Sequence, residues 1–312
     1  MRRYLAVLLA FGLLACSGSD AATADDEPAS QGSAAKTDSA NEPATEPNDD
    51  ADTLTPAEQL AANVLERAGA DTLSQAKEIS FTFVISTKGE EVFRARHRYN
   101  RVANTDRVTW INPDSPVGNR FDLLVDLDDK HVEGKVDGKP ISEGQRTKLK
   151  PIAYQRWVND YYWYAMPMKL RDPGVELTKL PQRTWNDQTY DVLEMTFSSV
   201  GLTPGDRYVL YIHPDKHRIE RWDMDLQESD GEPVAVERTN FEQVGPLYLS
   251  HDHVWINGNK RVDIRDVSVS DTVEEKDFAF DDSDFTYDAF QEYDAQGAAK
   301  EESSDSTEKP SE

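Results

Sequence analysis

Ile79-Ser80-Phe81-Thr82-Phe83-Val84-Ile85-Ser86-Thr87-Lys88-Gly89-Glu90-Glu91-Val92-Phe93-Arg94-Ala95-Arg96-His97-Arg98-Tyr99 alternates apolar and polar residues on both sides of a turn. Ile79, Phe81, Phe83 and Ile85 share one parity. Beyond Lys88-Gly89-Glu90, Phe93, Ala95, His97 and Tyr99 do the same, interleaved with Arg94, Arg96 and Arg98. Successive side chains of a strand point to opposite faces, so this period of two predicts a hairpin with one apolar and one wet face.

Outward from the hairpin the pattern repeats. Val108 and Trp110, then Phe121, Leu123 and Val125, then Val132 and Val136 form short runs bounded by Asn, Asp, Gly or Pro. Beyond Pro173-Gly174 further runs span Tyr190 to Phe197, Arg207 to His213, Arg218 to Leu226, Pro233 to Phe241, Leu247 to Ile256 and Arg261 to Val269. Short strands that neighbour one another in sequence favour an antiparallel meander.

Two segments read as helices instead. Thr55, Pro56 and Glu58 make a capping box ahead of Leu60, Ala61, Val64, Leu65 and Ala68, and Gly69 ends the stripe. Ser142 with Gln145 offers a second cap, Pro151 marks a kink or fresh start, and Tyr154, Trp157, Val158, Tyr161, Ala165 and Met168 recur at spacings of three and four. These apolar helix faces must cover the apolar face of the sheet. The predicted fold is therefore mainly β with helices (α+β): a large curved antiparallel sheet, an open or half barrel of about ten or eleven strands, wrapped around one or two apolar helices. A closed barrel or a two-sheet sandwich would leave the second helix outside.

The segments Val158-Asn159-Asp160-Tyr161-Tyr162-Trp163, Met166 to Val175, Tyr190 to Phe197 and Thr203-Pro204-Gly205-Asp206-Arg207-Tyr208 resemble a bacterial family of unknown function, whose members are mostly secreted proteins and lipoproteins. That family in turn resembles the half-barrel of the LolA and LolB lipoprotein carriers. The resemblance implies an unclosed sheet with an apolar concave face, plugged by helices that move aside to admit acyl chains. The candidate lining is Phe81, Phe83, Leu123, Tyr154, Trp157, Tyr161, Met168, Leu193, Met195, Phe197 and Leu210. A concave apolar site is the usual form of a ligand pocket, but a plain core needs the same residues, and the sequence is compatible with both.

The first sixteen residues carry the address. Arg2 and Arg3 precede an apolar stretch from Tyr4 to Ala15 that is too short to span a bilayer, as in a signal peptide over residues 1–15. Leu13-Leu14-Ala15-Cys16 is similar to a bacterial lipobox, which implies diacylation of the Cys16 thiol, cleavage before it, acylation of the new amino terminus and so a lipid anchor to a membrane of the cell envelope. Ser17 stands where the inner-membrane retention signal of such lipoproteins has aspartate, so the outer membrane is the expected address. Cys16 is the one cysteine in the chain, which excludes an intramolecular disulfide.

The formal charge of -25 lies mostly at the ends. Ten acidic residues and one lysine fall between Ser17 and Pro56, and eleven acidic residues and two lysines between Asp281 and Glu312. Segments so poor in apolar surface cannot offset the entropy of ordering, so residues 17–56 read as a disordered acidic linker and 281–312 as a disordered acidic tail around one domain at 57–280. Acidity also argues against nucleic acid as a partner. A monomer is expected.

Little in the chain suggests chemistry. It has neither a Gly-rich phosphate loop nor a G-x-S-x-G elbow. His251 and His253 share a strand face and could hold one metal if a third ligand came from elsewhere; His97 and His131 would join only if the fold brought them close. Arg94, Arg96, Arg98 and Arg101 form a basic strand face that either meets lipid headgroups or pairs across the sheet, with Asp126, Asp128 and Asp129 as the nearby carboxylates. The turns at Asp172-Pro173-Gly174 and Thr203-Pro204-Gly205-Asp206 suit type II geometry and could form a pocket rim. The reading is thus a non-enzymatic lipoprotein without cofactor or metal that binds a lipid or acyl chain. The alternatives are a structural or interaction protein with a permanently filled core, or a metal-dependent hydrolase.

Overall fold

The computed structural model describes residues 54–280 except 74, 199–200, 228–232 and 257. Cys16, the signal segment, most of the acidic linker and the acidic tail lie outside the described residues. The chain enters through helix α1 (Pro56–Ala68) and a short helical turn α2 (Ala70–Leu73). Thr55 and Glu58 form the reciprocal capping box, and Gly69 ends α1 in the left-handed conformation at φ 81°. Thr55→Ala is expected to cost about 1 kcal/mol, measurable by urea denaturation, because it leaves the Glu58 amide at the first turn without its acceptor.

Strands β1 (Glu78–Thr87), β2 (Glu90–Asn100), β3 (Thr105–Ile111), β4 (Arg120–Asp126), β5 (Val132–Val136) and β6 (Lys139–Pro140) follow as a meander. Helix α3 (Glu143–Ala165) and a 3-10 turn (Met166–Lys169) then lead to a second meander: β7 (Val175–Trp185), β8 (Gln188–Phe197), β9 (Arg207–Ile212), β10 (Ile219–Asp225), β11 (Val234–Val244), β12 (Leu247–Trp255) and β13 (Lys260–Ser270). The halves join where β1 pairs antiparallel with β13, giving the order β6-β5-β4-β3-β2-β1-β13-β12-β11-β10-β9-β8-β7. The free edges are β6 and β7, the two strands that α3 connects. The sheet is therefore open, and a helix of roughly 35 Å carries the chain from one edge to the other.

Thirteen strands among the described residues exceed the ten or eleven expected. The two unforeseen ones are the edges. β7 holds Pro181 among Glu176, Lys179, Gln182 and Arg183 and is largely exposed, and β6 is two residues long and ends on Pro140. Proline and charge are tolerated where one side of a strand is unpaired, and they erase the alternation by which a strand is recognised. Pro151 does not interrupt α3, which runs continuously from Glu143 to Ala165.

Two cores meet along α3. Leu149 and Ala153 pack with Val108, Trp110, Phe121, Leu123, Val125, Val132 and Val136 of β3 to β5. Trp157, Trp163, Tyr164 and Ala165 pack, together with Leu60, Ala61 and Val64 of α1, into the larger cluster built on β1 and on β8 to β13. The hairpin's outer face is not the wet face expected: Thr82 and Val84 are buried there. On the same face, beyond β2, Arg107 of β3 and Asp122 of β4 form a buried two-pronged ion pair at 2.9 and 2.8 Å. The C-terminal turn Glu275–Phe278 lies against this side, where Asp277 accepts from Arg107 through its carbonyl and pairs with Arg98 through its carboxylate.

Candidate functional site

The concave side of the sheet and the helix lying in it form the candidate site. Its centre is polar. His97, on the inward parity of β2, has Nδ1 at 2.8 Å from an Asp106 carboxylate oxygen on β3 and Nε2 at 3.1 Å from an Asp160 carboxylate oxygen on α3. All three side chains are fully buried. Burial alone would lower the His97 pKa, but the charge and hydrogen bond of Asp106, and then those of Asp160, outweigh it and push the imidazole up to about 9. At neutral pH His97 is an imidazolium donating to a carboxylate on each side, one from the sheet and one from the helix. Phe81 stacks on it at 4.7 Å, which keeps water away. The cluster therefore latches α3 to the sheet.

Aromatic rings surround the latch. Trp157 stacks on Tyr161 at 4.3 Å and meets Tyr99 at 4.4 Å, while Trp163 sits 5.2 Å from Trp222 and 5.4 Å from Trp255. Between these groups and the sheet the helix leaves two unfilled spaces. One, of about 140 Å³, lies between α3 and β8 to β11 and is lined by Tyr162, Trp163, Phe197, Tyr208, Trp222 and Val234 among others. The Tyr162 hydroxyl is buried without a hydrogen-bond partner among the described residues. The other, of about 430 Å³, is an open groove on the opposite flank, lined by Tyr99, Arg101, Tyr154, Trp157, Tyr161 and Met168 among others.

The candidate lining residues divide between these places. Tyr154, Trp157, Tyr161 and Met168 line the wider groove, and Phe197 lines the apolar cleft. Phe81, Phe83, Leu123, Leu193, Met195 and Leu210 are buried in the packed core. Trp163, Trp222, Trp255, Asp106 and Asp160 are not among the candidate site residues that the sequence singles out, although Asp160 and Trp163 lie in the family-like segment Val158 to Trp163. A common signal marks the last two: each is a charged residue at an inward position of an otherwise apolar pattern.

The other titratable candidates have plainer surroundings. His253 is fully buried against the Trp163 edge, and burial holds it well below the usual histidine range. His251 bonds through Nδ1 to the Ile264 carbonyl at 2.8 Å. His131 is exposed, unlike His97. Among the described residues no group of three His, Cys, Asp or Glu side chains is placed to hold a metal ion. The arginine face pairs across and along the sheet, though with carboxylates other than those expected: Arg94 with Glu91 at 2.9 Å and Arg98 with Glu78 at 2.6 Å. Arg101 donates to the Leu73 and Ala76 carbonyls, while Asp126 caps its own turn by accepting from the Asp128 and Asp129 amides.

An open antiparallel sheet holding a helix in its concavity defines the architectural class. Residues 137–285 match the model of DUF6503, a family of unknown function, and this stretch contains the segments whose resemblance was noted above. No curated protein matches the chain. Among solved structures the chain is similar to a LolA superfamily protein from Nitrosomonas europaea, with 15% identity over 70% of this chain and 97% of that one and a TM-score of 0.42. A DUF1329 family protein from Desulfovibrio piger has 11% identity, 72% and 98% coverage and a TM-score of 0.37. The lipoprotein LppX of Mycobacterium tuberculosis has 10% identity, 69% and 97% coverage and a TM-score of 0.28.

Proposed function

We propose that the protein is an envelope lipoprotein, anchored through a lipidated Cys16, whose open sheet takes up an acyl chain or comparable hydrophobic ligand beside α3 and performs no chemistry on it. The observation that carries this reading is the apolar cleft between α3 and β8 to β11. Its walls are aromatic and aliphatic, and the Tyr162 hydroxyl on its helix side is buried without a partner among the described residues. Apolar walls with one or two placed polar groups are what a hydrophobic ligand with a polar end requires. Tryptophan and tyrosine present large rigid surfaces that lose little conformational entropy on binding.

The size of the cleft favours a second reading. Its 140 Å³ is less than the roughly 300–1,000 Å³ of ligand pockets, so an acyl chain enters fully only if α3 shifts. If α3 never shifts, the helix is a permanent plug and the role lies in the outer surface. Titration of the full chain carrying Cys16→Ser with a dansylated fatty acid separates the two. Saturable binding is expected in the wild-type background, weakened at least about 10-fold by Val234→Trp, which fills the cleft at the cost of a contact area worth only about 1–3 kcal/mol in binding. Absence of saturable binding, with bare protein in native mass spectrometry, would leave the plug reading.

A further inference from the structure

We infer that a third, much smaller cavity, between the C-terminal end of α1 and strands β10 to β12, binds an oxyanion, either a carboxylate or a phosphate group. Its walls include Arg67, His217, Arg218, Arg238, Tyr248 and Ser250, and no acidic residue lines it. In a chain with a formal charge of -25, three arginines around one space are a local inversion of sign.

Arg238 is the decisive residue. It is 2% exposed, and its Nε and Nη1 are buried without any hydrogen-bond partner among the described residues. Nor does it have an ion pair there, whereas Arg218 is neutralised by Glu220 at 2.6 Å and donates to the Tyr248 hydroxyl at 3.0 Å. A buried charge that lacks a counter-charge costs several kcal/mol, so a guanidinium kept in this condition is matched to a partner that arrives from outside. Its planar fork fits the two oxygens of a carboxylate or phosphate.

The rest of the cavity suits the same guest. Arg67, exposed at the mouth, lies with its guanidinium carbon 3.5 Å from the centre of the Tyr248 ring, where stacking limits its freedom. His217 presents a buried Nδ1 without a partner. The neighbouring His253, across the strand pair from Arg238, is held neutral by burial and by the Arg238 charge, so it adds no competing cation. The space as it stands is about 10 Å³, room for roughly one water, so the anion reaches the Arg238 fork only as the exposed Arg67 at the mouth swings outward, and no chain follows it. It shares no lining residue with the apolar cleft, and the inference does not rest on uptake of a hydrophobic ligand.

Two sources can supply such a group, a free anion or the head of an anionic amphiphile, and the test separates them. The full chain carrying Cys16→Ser is titrated with inorganic phosphate, decanoate and decanol at constant ionic strength, with melting temperature and calorimetric heat as readouts. Phosphate or decanoate is expected to raise the melting temperature by roughly 5 °C at saturation, and decanol is not. A response to both anions marks a free oxyanion site, and a response to decanoate alone marks an amphiphile head. Arg238→Met is expected to abolish the anion response while melting at or above the wild-type temperature, since it removes an unpaired buried charge. Arg67→Met, at an exposed position that cannot unfold the core, is expected to weaken anion binding severalfold and serves as the check should Arg238→Met fail to fold. Equal responses to decanol and decanoate, no response to either anion, or anion responses unchanged in both variants would each overturn the inference.

Discussion

His97→Leu is expected to lower folding stability by about 3–5 kcal/mol, read as a fall in the urea midpoint, because it strands buried carboxylates. Asp106 and Asp160 share His97 as their partner and neither has access to water. The consequences for the two are unequal. Asp160 keeps the Asn159 side-chain amide at 2.7 Å and the Arg156 guanidinium at 3.4 Å. Asp106 keeps less, since its other carboxylate oxygen already has no partner among the described residues. Burial raises its pKa even with His97 present. Adding Asp106→Leu to His97→Leu is therefore expected to recover much of the loss, because an apolar group of similar shape is cheaper than an unpaired charge. If the double variant were no more stable than the single one, the loss would lie in packing against Phe81 and not in the ion cluster. Since the latch ties α3 to β2 and β3, the carrier reading also expects faster uptake of the dansylated fatty acid by His97→Leu.

Much of this architecture was legible because alternation and capping are local. The period of two across Ile79 to Tyr99 became β1 and β2 with Phe81 and Phe83 inward, and the Thr55 and Ser142 capping boxes start α1 and α3 where read. What escaped is set by partners far along the chain. The pairing of β1 with β13 closes the middle of the sheet over a separation no local pattern encodes, and it leaves β6 and β7 as edges. Edge strands such as β7, with Pro181 and several charges, look like loops because the free side relaxes the demand for alternation. His97 was read as a candidate ligand since its partners stand 9 and 63 residues away. Arg238 sits on the same parity as Val234 and Val236 in β11, and a strand histidine or arginine on an apolar parity is ambiguous until the opposing element is known. The useful warning lies in the coincidence of several such misfits, His97, Asp106, Asp160 and Arg238, in patterns that otherwise read as core.

The pH dependence of stability follows from two buried histidines that act in opposite directions. His97 has its pKa raised from 6.5 to about 9, so it holds its proton more tightly folded than unfolded. Its contribution is complete below about pH 6.5 and is lost as pH rises through about 9; by linkage the loss is on the order of 3 kcal/mol. His253 is shifted the other way by burial, so its neutral form is favoured in the folded chain, and its contribution is present above about pH 6.5 and lost on acidification. Stability is thus expected to peak near pH 6.5 and to fall on both sides. The alkaline limb belongs to His97, with Asp106 and Asp160 as the charges facing it from β3 and α3 and Arg156 beyond Asp160. Urea denaturation of the full chain carrying Cys16→Ser from pH 5.5 to 9.5 checks this. His97→Leu should remove the alkaline fall and leave the acid limb, whereas a wild-type curve that is flat or rising between pH 6.5 and 9 would mean that His97 is neutral in the folded protein and that the latch is an uncharged hydrogen bond. On the proposed reading of ligand uptake the latch works in the same sense: it grips α3 most firmly at neutral and mildly acidic pH, where both carboxylates hold the imidazolium, and it slackens as that proton leaves.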